Sequence, residues 1–167
     1  MNLDIINLSL NKTKYVFWQD GESTLAKDAP FYCKSIPSVD KIIESGCNCA
    51  GLINILQLSR GLDVPGVKDN KYYAGGTYEW AEYLKSINVL ELFDINKEYP
   101  VGSLLIREYR NEDDQGHLAV VYNNQTLLHC YQSAGITIDD SIKTSHNWDA
   151  NGYYEFVCVG WFKSLFF

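Results

Sequence analysis

At 167 residues, with 46% hydrophobic and 21% charged side chains, the chain is long enough to bury a core without disulfide staples and too apolar to stay disordered. Acidic residues outnumber basic ones 21 to 14, giving a net charge of −7 and no Lys/Arg run able to neutralise a line of phosphates, which argues against nucleic acid as a partner. No window approaches the ~20 apolar residues of a membrane span, and the stretch from Met1 to Leu10 lacks a basic leader followed by a sustained apolar run. The expectation is therefore a protein without membrane association, kept in the cytoplasm or released or packaged by a route that needs no signal.

In chain order, residues 14–18 (Lys-Tyr-Val-Phe-Trp) read as a short strand. Ser38 caps a short helix over Val39–Glu44 that stops at Gly46. Ala50, Leu52, Ile53, Ile55, Leu56 and Leu58 form an apolar stretch ending in Ser59-Arg60-Gly61, which predicts a buried helix with Cys49 at its mouth. Pro65-Gly66 and the polar residues 68–71 mark a loop, and Thr77 is placed to cap a further helix from Tyr78 to Leu84. After Pro100 the texture turns to strands, at Ser103–Tyr109, His117–Tyr122, Thr126–Tyr131, Gly135–Ile138 and Tyr154–Phe162. Their close spacing implies an antiparallel sheet, and the class is α+β.

The five cysteines, at 33, 47, 49, 130 and 158, are an odd set without the spacing of a secreted disulfide framework, and reduced thiols are the default. Cys33, Cys47 and Cys49 also lack the two close pairs of a structural zinc site, so neither a metal nor a cofactor is called for. Cys49 differs from the others. A thiol at a helix start feels the positive end of the backbone dipole, which favours thiolate, and the unpaired N–H groups there suit an oxyanion. His117, opening an apolar strand after Gly116, is the candidate base, and His129 on the next strand the group that sets its tautomer.

Side chains alternate faces along a strand, so the two histidines share a face only if the loop between them is odd. A two-residue turn at Asn123-Asn124 throws His129 to the other side. A three-residue loop at 123–125, with Asn supplying a left-handed conformation, sets His129 opposite Ala119 with both imidazoles toward the N-terminal end of the Cys49 helix.

The segments Asn48-Cys49-Ala50-Gly51-Leu52 and Gly116-His117-Leu118-Ala119-Val120-Val121-Tyr122 resemble the Asp-Cys-Ser-Gly-Leu and Gly-His-Val-x-Ile-Tyr motifs of the NlpC-type papain-like cysteine endopeptidases of cell walls, in that family's order. Pro100-Val101-Gly102-Ser103-Leu104-Leu105 is similar to the Pro-Gly-Asp-Leu segment before the family's histidine, and His129 falls at its third, orienting position. The resemblance implies a papain-like domain, with a helical N-terminal layer carrying the nucleophile packed on an antiparallel sheet. Residues 1–167 then form a single domain, with 1–30 an N-terminal extension and 31–162 the core. It implies a Cys49–His117–His129 triad, and places Tyr32, Asn48 and Ala50 at substrate-binding positions. Asn48 and Ala50 stand where the family has Asp and Ser, polar groups associated there with the cleft and with holding a free amine.

The implied activity is that of a thiol endopeptidase or amidase working through a thioester, with the Cys49 N–H helping to hold the oxyanion and small or unusual peptides, peptidoglycan fragments first among them, as substrates. The alternatives are an acyltransferase or protein-deconjugating enzyme of the same fold, and a non-catalytic ligand-binding domain using the aromatic cleft.

Overall fold

The computed structural model describes residues 3–17, 32–123 and 125–167. Helices α1 (Leu3–Ser9), α2 (Val39–Ser45), α3 (Cys49–Ser59) and α4 (Thr77–Ser86) precede most of the sheet, which is built from β1 (Glu91–Leu92), β2 (Leu104–Arg107), β3 (His117–Val121), β4 (Thr126–Tyr131), β5 (Gly135–Ser141) and β6 (Phe156–Cys158). A short α5 (Ile142–His146) follows β5. The six strands lie in the order β1-β6-β2-β3-β4-β5 with every neighbour antiparallel, so the α+β reading and the antiparallel sheet both hold. No helix among the described residues is long and apolar enough to cross a membrane.

Two hydrophobic groups cover the two faces of the sheet. Leu104, Ile106, Leu118, Val120, Leu128 and Cys130 pack against α3, whose Leu52, Ile53, Ile55 and Leu56 are fully buried. Each such side chain contributes about 1.5–3 kcal/mol by leaving water. The alternate residues Leu105, Ala119, Val121, Leu127 and Val157 face Tyr99, Ile142 and Tyr154 on the other side. α4 is tied to α3 by the indole of buried Trp80, which donates to Asn54 Oδ1 at 2.8 Å, while Asn54 Nδ2 donates to the Gly75 carbonyl.

Several boundaries differ from the sequence reading. Residues 3–17, taken there as part of an extension, join the same core: Ile6 is buried in it, and Asn11 N–H donates to the Ile136 carbonyl on the outer strand. The 14–18 strand is reduced to a parallel bridge between Tyr15 and Cys47, and Trp18 lies outside the described residues. Gly76, not Thr77, occupies the cap position of α4, and no side chain caps that helix. β6 ends at Cys158, because the chain then turns to meet Gly102 through the Phe162 N–H. β1, α1 and α5 went unread.

Candidate active site

The turn before α3 is pinned on both sides. Cys47 N–H donates to the Lys14 carbonyl at 3.0 Å, Val16 N–H donates to the Cys47 carbonyl at 2.9 Å, and the Tyr32 hydroxyl donates to the Gly46 carbonyl at 2.5 Å. Asn48 is then extended, and its Oδ1 accepts from the Gly51 N–H at 2.8 Å, starting the helix at Cys49. That cap consumes one of the unpaired N–H groups of the first turn and leaves those of Cys49 and Ala50 at the mouth.

Cys49 Sγ is approached by three donors: the Leu118 N–H, the Ala50 N–H and the Thr77 hydroxyl. The first follows from the ladder. Pairing of β3 with β4 ends at Ala119–His129, so the Leu118 N–H is directed at sulfur where regular pairing would have continued. Sγ thus sits beside the backbone of Leu118, the residue that follows His117 on β3.

His117 and His129 share a face, as the odd-loop argument requires. Ala119 is the partner of His129 in the register, and His117 Nε2 lies 3.1 Å from His129 Nδ1. The left-handed loop residue seen is Gln125, φ 63°, while Asn124 lies outside the described residues. Gln125 is held there by the Tyr99 N–H donating to its Oε1 and by its own Nε2 donating to the Tyr99 carbonyl. By alternation the two rings lie on the Ala119–Val121 face, whereas α3 packs on the Leu118–Val120 face. The expectation that both imidazoles face the N-terminal end of the Cys49 helix is met only in their sharing a face: that face is the one opposite α3, so an approach between imidazole and thiol has to run around the end of the β3–β4 ladder.

Beyond His129, its buried Nε2 faces the buried Oδ2 of Asp140 at 3.3 Å. Trp148 stacks on the His129 ring at 5.7 Å and 17°, and lies 5.6 Å from the His117 ring; Tyr131 and Tyr153 complete an aromatic surround. Arg107, opposite His117 in the ladder, is a buried guanidinium that binds Asp114 through Nε and Nη2, Asp149 through Nη2 at 3.2 Å and the Tyr153 carbonyl through Nη1. It joins the 108–116 and 147–153 loops, which bring Gln115, Trp148 and Tyr153 to the cleft.

Two cavities meet at Tyr15, Glu112, Gln115 and Gly116. One, of about 360 Å³, holds Cys49, Asn48 and Ala50 against Tyr73, Thr77, Tyr78 and Tyr109. The other, of about 770 Å³, opens on His117, Asp140, Trp148 and Tyr153. The thiol and the imidazole thus open onto adjoining spaces that share a wall.

Burial governs the charge state. It pushes the Cys49 thiol above its ordinary pKa despite the Leu118, Ala50 and Thr77 donors, and it holds His117 well below the ordinary histidine value, with His129 adding to the effect. The expectation of a resting thiolate is overturned. The helix end contributes about 0.3–1 kcal/mol, whereas desolvating a charged group costs several kcal/mol.

Of the sequence candidates, His117 and His129 meet directly at 3.1 Å, Cys49 Sγ meets the N–H of the residue that follows His117, and Ala50 contributes its N–H to sulfur. Asn48 lines the cavity but spends its side-chain oxygen on the cap. Tyr32 supports the Gly46 turn and is not among the residues lining either cavity. Sequence reasoning missed Tyr15, Thr77 and Asp140. Tyr15 lies in the segment read as an extension, and Thr77 was read as a helix cap. Among the described residues no group of three or more His, Cys, Asp or Glu side chains is arranged to hold a metal ion.

No protein-family model matches this chain, and no curated protein matches it.

Proposed function

We propose that the protein is a papain-like thiol hydrolase that cleaves an amide bond in small peptides, with peptidoglycan fragments as the first substrate class to test. The observation that carries this reading is the 3.1 Å contact between His117 Nε2 and His129 Nδ1 at the strand end where the Leu118 N–H meets Cys49 Sγ. A buried histidine pair beside a thiol at a helix mouth supplies nucleophile, base and orienting group together.

Because the resting groups are neutral, His117 acts as a general base: Sγ attacks the carbonyl carbon as the thiol proton passes to His117 Nδ1. The Cys49 N–H, which the cap leaves unused, faces the developing oxyanion. Collapse of the tetrahedral species breaks the C–N bond, and the imidazolium returns its proton to the leaving amine. Water then adds to the thioester, giving its proton to His117, and the carboxylic acid departs as sulfur recovers a proton. The resemblance to the NlpC-type endopeptidases supports the substrate class, and the aromatic lining of the two cavities suits compact peptides.

The test is incubation with a panel of peptidoglycan stem peptides and muropeptides, read by mass spectrometry. Cleavage that gains one water and disappears in Cys49→Ala is the expected result. Transfer of the acyl group to an added amine in preference to water moves the reading to an acyltransferase, and binding without any new product by wild type moves it to a ligand-binding domain.

A further inference from the structure

When both rings are neutral, two imidazoles that share one hydrogen bond can hold it in either direction, and only one direction serves the proposed catalysis. If His129 carries its proton on Nδ1, it donates to His117 Nε2, and His117 must then be protonated on Nδ1, where it cannot accept a proton from sulfur. If His129 carries its proton on Nε2, its Nδ1 accepts from the His117 Nε2–H, and His117 Nδ1 keeps a lone pair. What stands next to His129 Nε2 decides between these states. That neighbour is Asp140 Oδ2, 3.3 Å away and itself buried. An ionised carboxylate only accepts hydrogen bonds, so it selects the proton on Nε2.

We propose that Asp140 is a positioning residue which, through His129, fixes the tautomer of His117 and so makes the candidate base competent. The proposal rests on the hydrolase reading for its catalytic meaning, but its chemistry concerns this chain alone. The fold places Asp140 by an irregularity. Thr137 is the partner of His129 across β4 and β5, and strict alternation from Thr137 sends position 140 to the far face. The register shifts between Thr126 and Leu128, so that Thr126 pairs with Ser141 while Leu128 pairs with Ile138, and β5 carries one extra residue between Ile138 and Ser141. That bulge brings Asp140 back to the histidine face. Trp148, stacked on His129, holds the ring in plane for both contacts.

The experiment is long-range ¹H–¹⁵N correlation of ¹⁵N-histidine-labelled full-length protein at about pH 7.5, where each ring nitrogen reports its own proton. The chain has three histidines. His146 Nδ1 accepts from the Tyr154 N–H at 3.0 Å, so a backbone donor and not Asp140 fixes its tautomer, and it serves as the internal reference. In wild type, His117 and His129 are both expected to carry their single proton on Nε2. Asp140→Leu, similar in size and without an acceptor, is expected to move both rings together toward the Nδ1-protonated form and leave His146 unchanged. Asp140→Glu is expected to retain the wild-type pattern. Turnover by Asp140→Leu is expected to fall by about a hundredfold or more, as an incorrect tautomer does in other histidine-base enzymes. A wild-type His117 protonated on Nδ1, or a folded Asp140→Leu in which His117 is unchanged, overturns the proposal. The wild-type spectrum alone suffices if the variant does not fold. Correct tautomers in a protein that cleaves nothing support this inference and count against the hydrolase reading.

Discussion

Gly116→Ala is the most revealing single change, because its cost divides into a backbone part and a contact part for which the chain provides its own control. Gly116 has φ +80°, and a Cβ there stands 2.5 Å from the Arg107 carbonyl oxygen, 2.8 Å from the Glu108 carbonyl carbon and 2.8 Å from Thr77 Cγ2. Gly61 has φ +72° with nothing within 4 Å of the added atom. The left-handed region costs an L-residue about 1–2 kcal/mol, of which about 0.4–1 kcal/mol is returned by the stiffer unfolded chain. Gly61→Ala should therefore destabilise by about 0.5–1 kcal/mol. Gly116→Ala bears the same charge plus overpacking of about 1–3 kcal/mol and a weakened backbone hydrogen bond of about 1 kcal/mol, because two of its three close neighbours are backbone atoms of β2 and the residue after it. The total is roughly 2–5 kcal/mol. Relieving the contact means moving the Arg107 oxygen from 2.5 Å toward the 3.4 Å at which ordinary contact begins, and this shift acts on the residue next to His117. A misplacement near 1 Å lowers a positioned reaction by about a hundredfold. Urea denaturation of both variants, with labelling of Cys49 by an electrophilic substrate analogue, measures the two effects. Equal destabilisation by the two substitutions, or wild-type labelling in Gly116→Ala, refutes the reading that close packing at Gly116 positions its neighbour His117.

Cys49→Ala should abolish turnover with little change in melting temperature, whereas Cys47→Ser and Cys130→Ser should stay active and lose about 1–3 kcal/mol by burying a hydroxyl; activity assays beside thermal melts decide, and a dead Cys47→Ser with an active Cys49→Ala moves the nucleophile. Because burial raises the Cys49 pKa, its alkylation by iodoacetamide should show no thiolate advantage at pH 6 and keep rising above the ordinary thiol range; a fast plateau at pH 6, mapped by peptide mass, contradicts the neutral pair. His117, held well below its ordinary value chiefly by burial, contributes stability that is present above its unfolded pKa of about 6.5 and is lost as pH falls toward its folded pKa, so melting curves should weaken below pH 6.5 and His117→Asn should lessen that loss. Arg107→Met should cost about 2–4 kcal/mol, less than a fully buried pair because Asp114 and Asp149 keep some solvent, and should raise amide exchange in 108–116 and 147–153; unchanged exchange there shows that the guanidinium does not hold the loops.

The parts of the fold written in local chemistry were legible. Ser38 accepts from the Lys41 N–H at the start of α2, α3 begins with Cys49 at its mouth, and β4 runs over Thr126–Tyr131 as read. The strand period tied a shared face for the two rings to an odd loop, and the three-residue loop at 123–125 meets that condition. What stayed hidden depends on contacts between distant segments. Tyr15 reaches the cleft because one parallel bridge joins it to Cys47. Thr77 looks like a cap until the backbone places Gly76 there and frees the hydroxyl for sulfur. Asp140 is on the wrong face by simple counting, and only the extra residue in β5 corrects it. The charge of Cys49 was misread for a related reason: the helix end is visible in sequence, but the depth of burial that outweighs it is not.

That misreading changes what the rest of the site must do. In a thiolate–imidazolium pair both nitrogens of the base carry protons, and no neighbour has to choose a tautomer. Here the thiol keeps its proton and His117 stays neutral, both because of burial, so the position of a single proton on the ring decides whether the base has a lone pair for sulfur. In the proposed mechanism the chain running from His117 through His129 to Asp140 makes that choice with a 3.1 Å and a 3.3 Å contact. On the other side of the proposed reaction, the Leu118 and Ala50 N–H groups and the Thr77 hydroxyl do not outweigh burial at the resting thiol, yet they are already aimed at sulfur when the proton leaves. Their stabilisation is then realised as charge develops and not before, which is the condition under which preorganised donors lower a barrier instead of deepening the ground state.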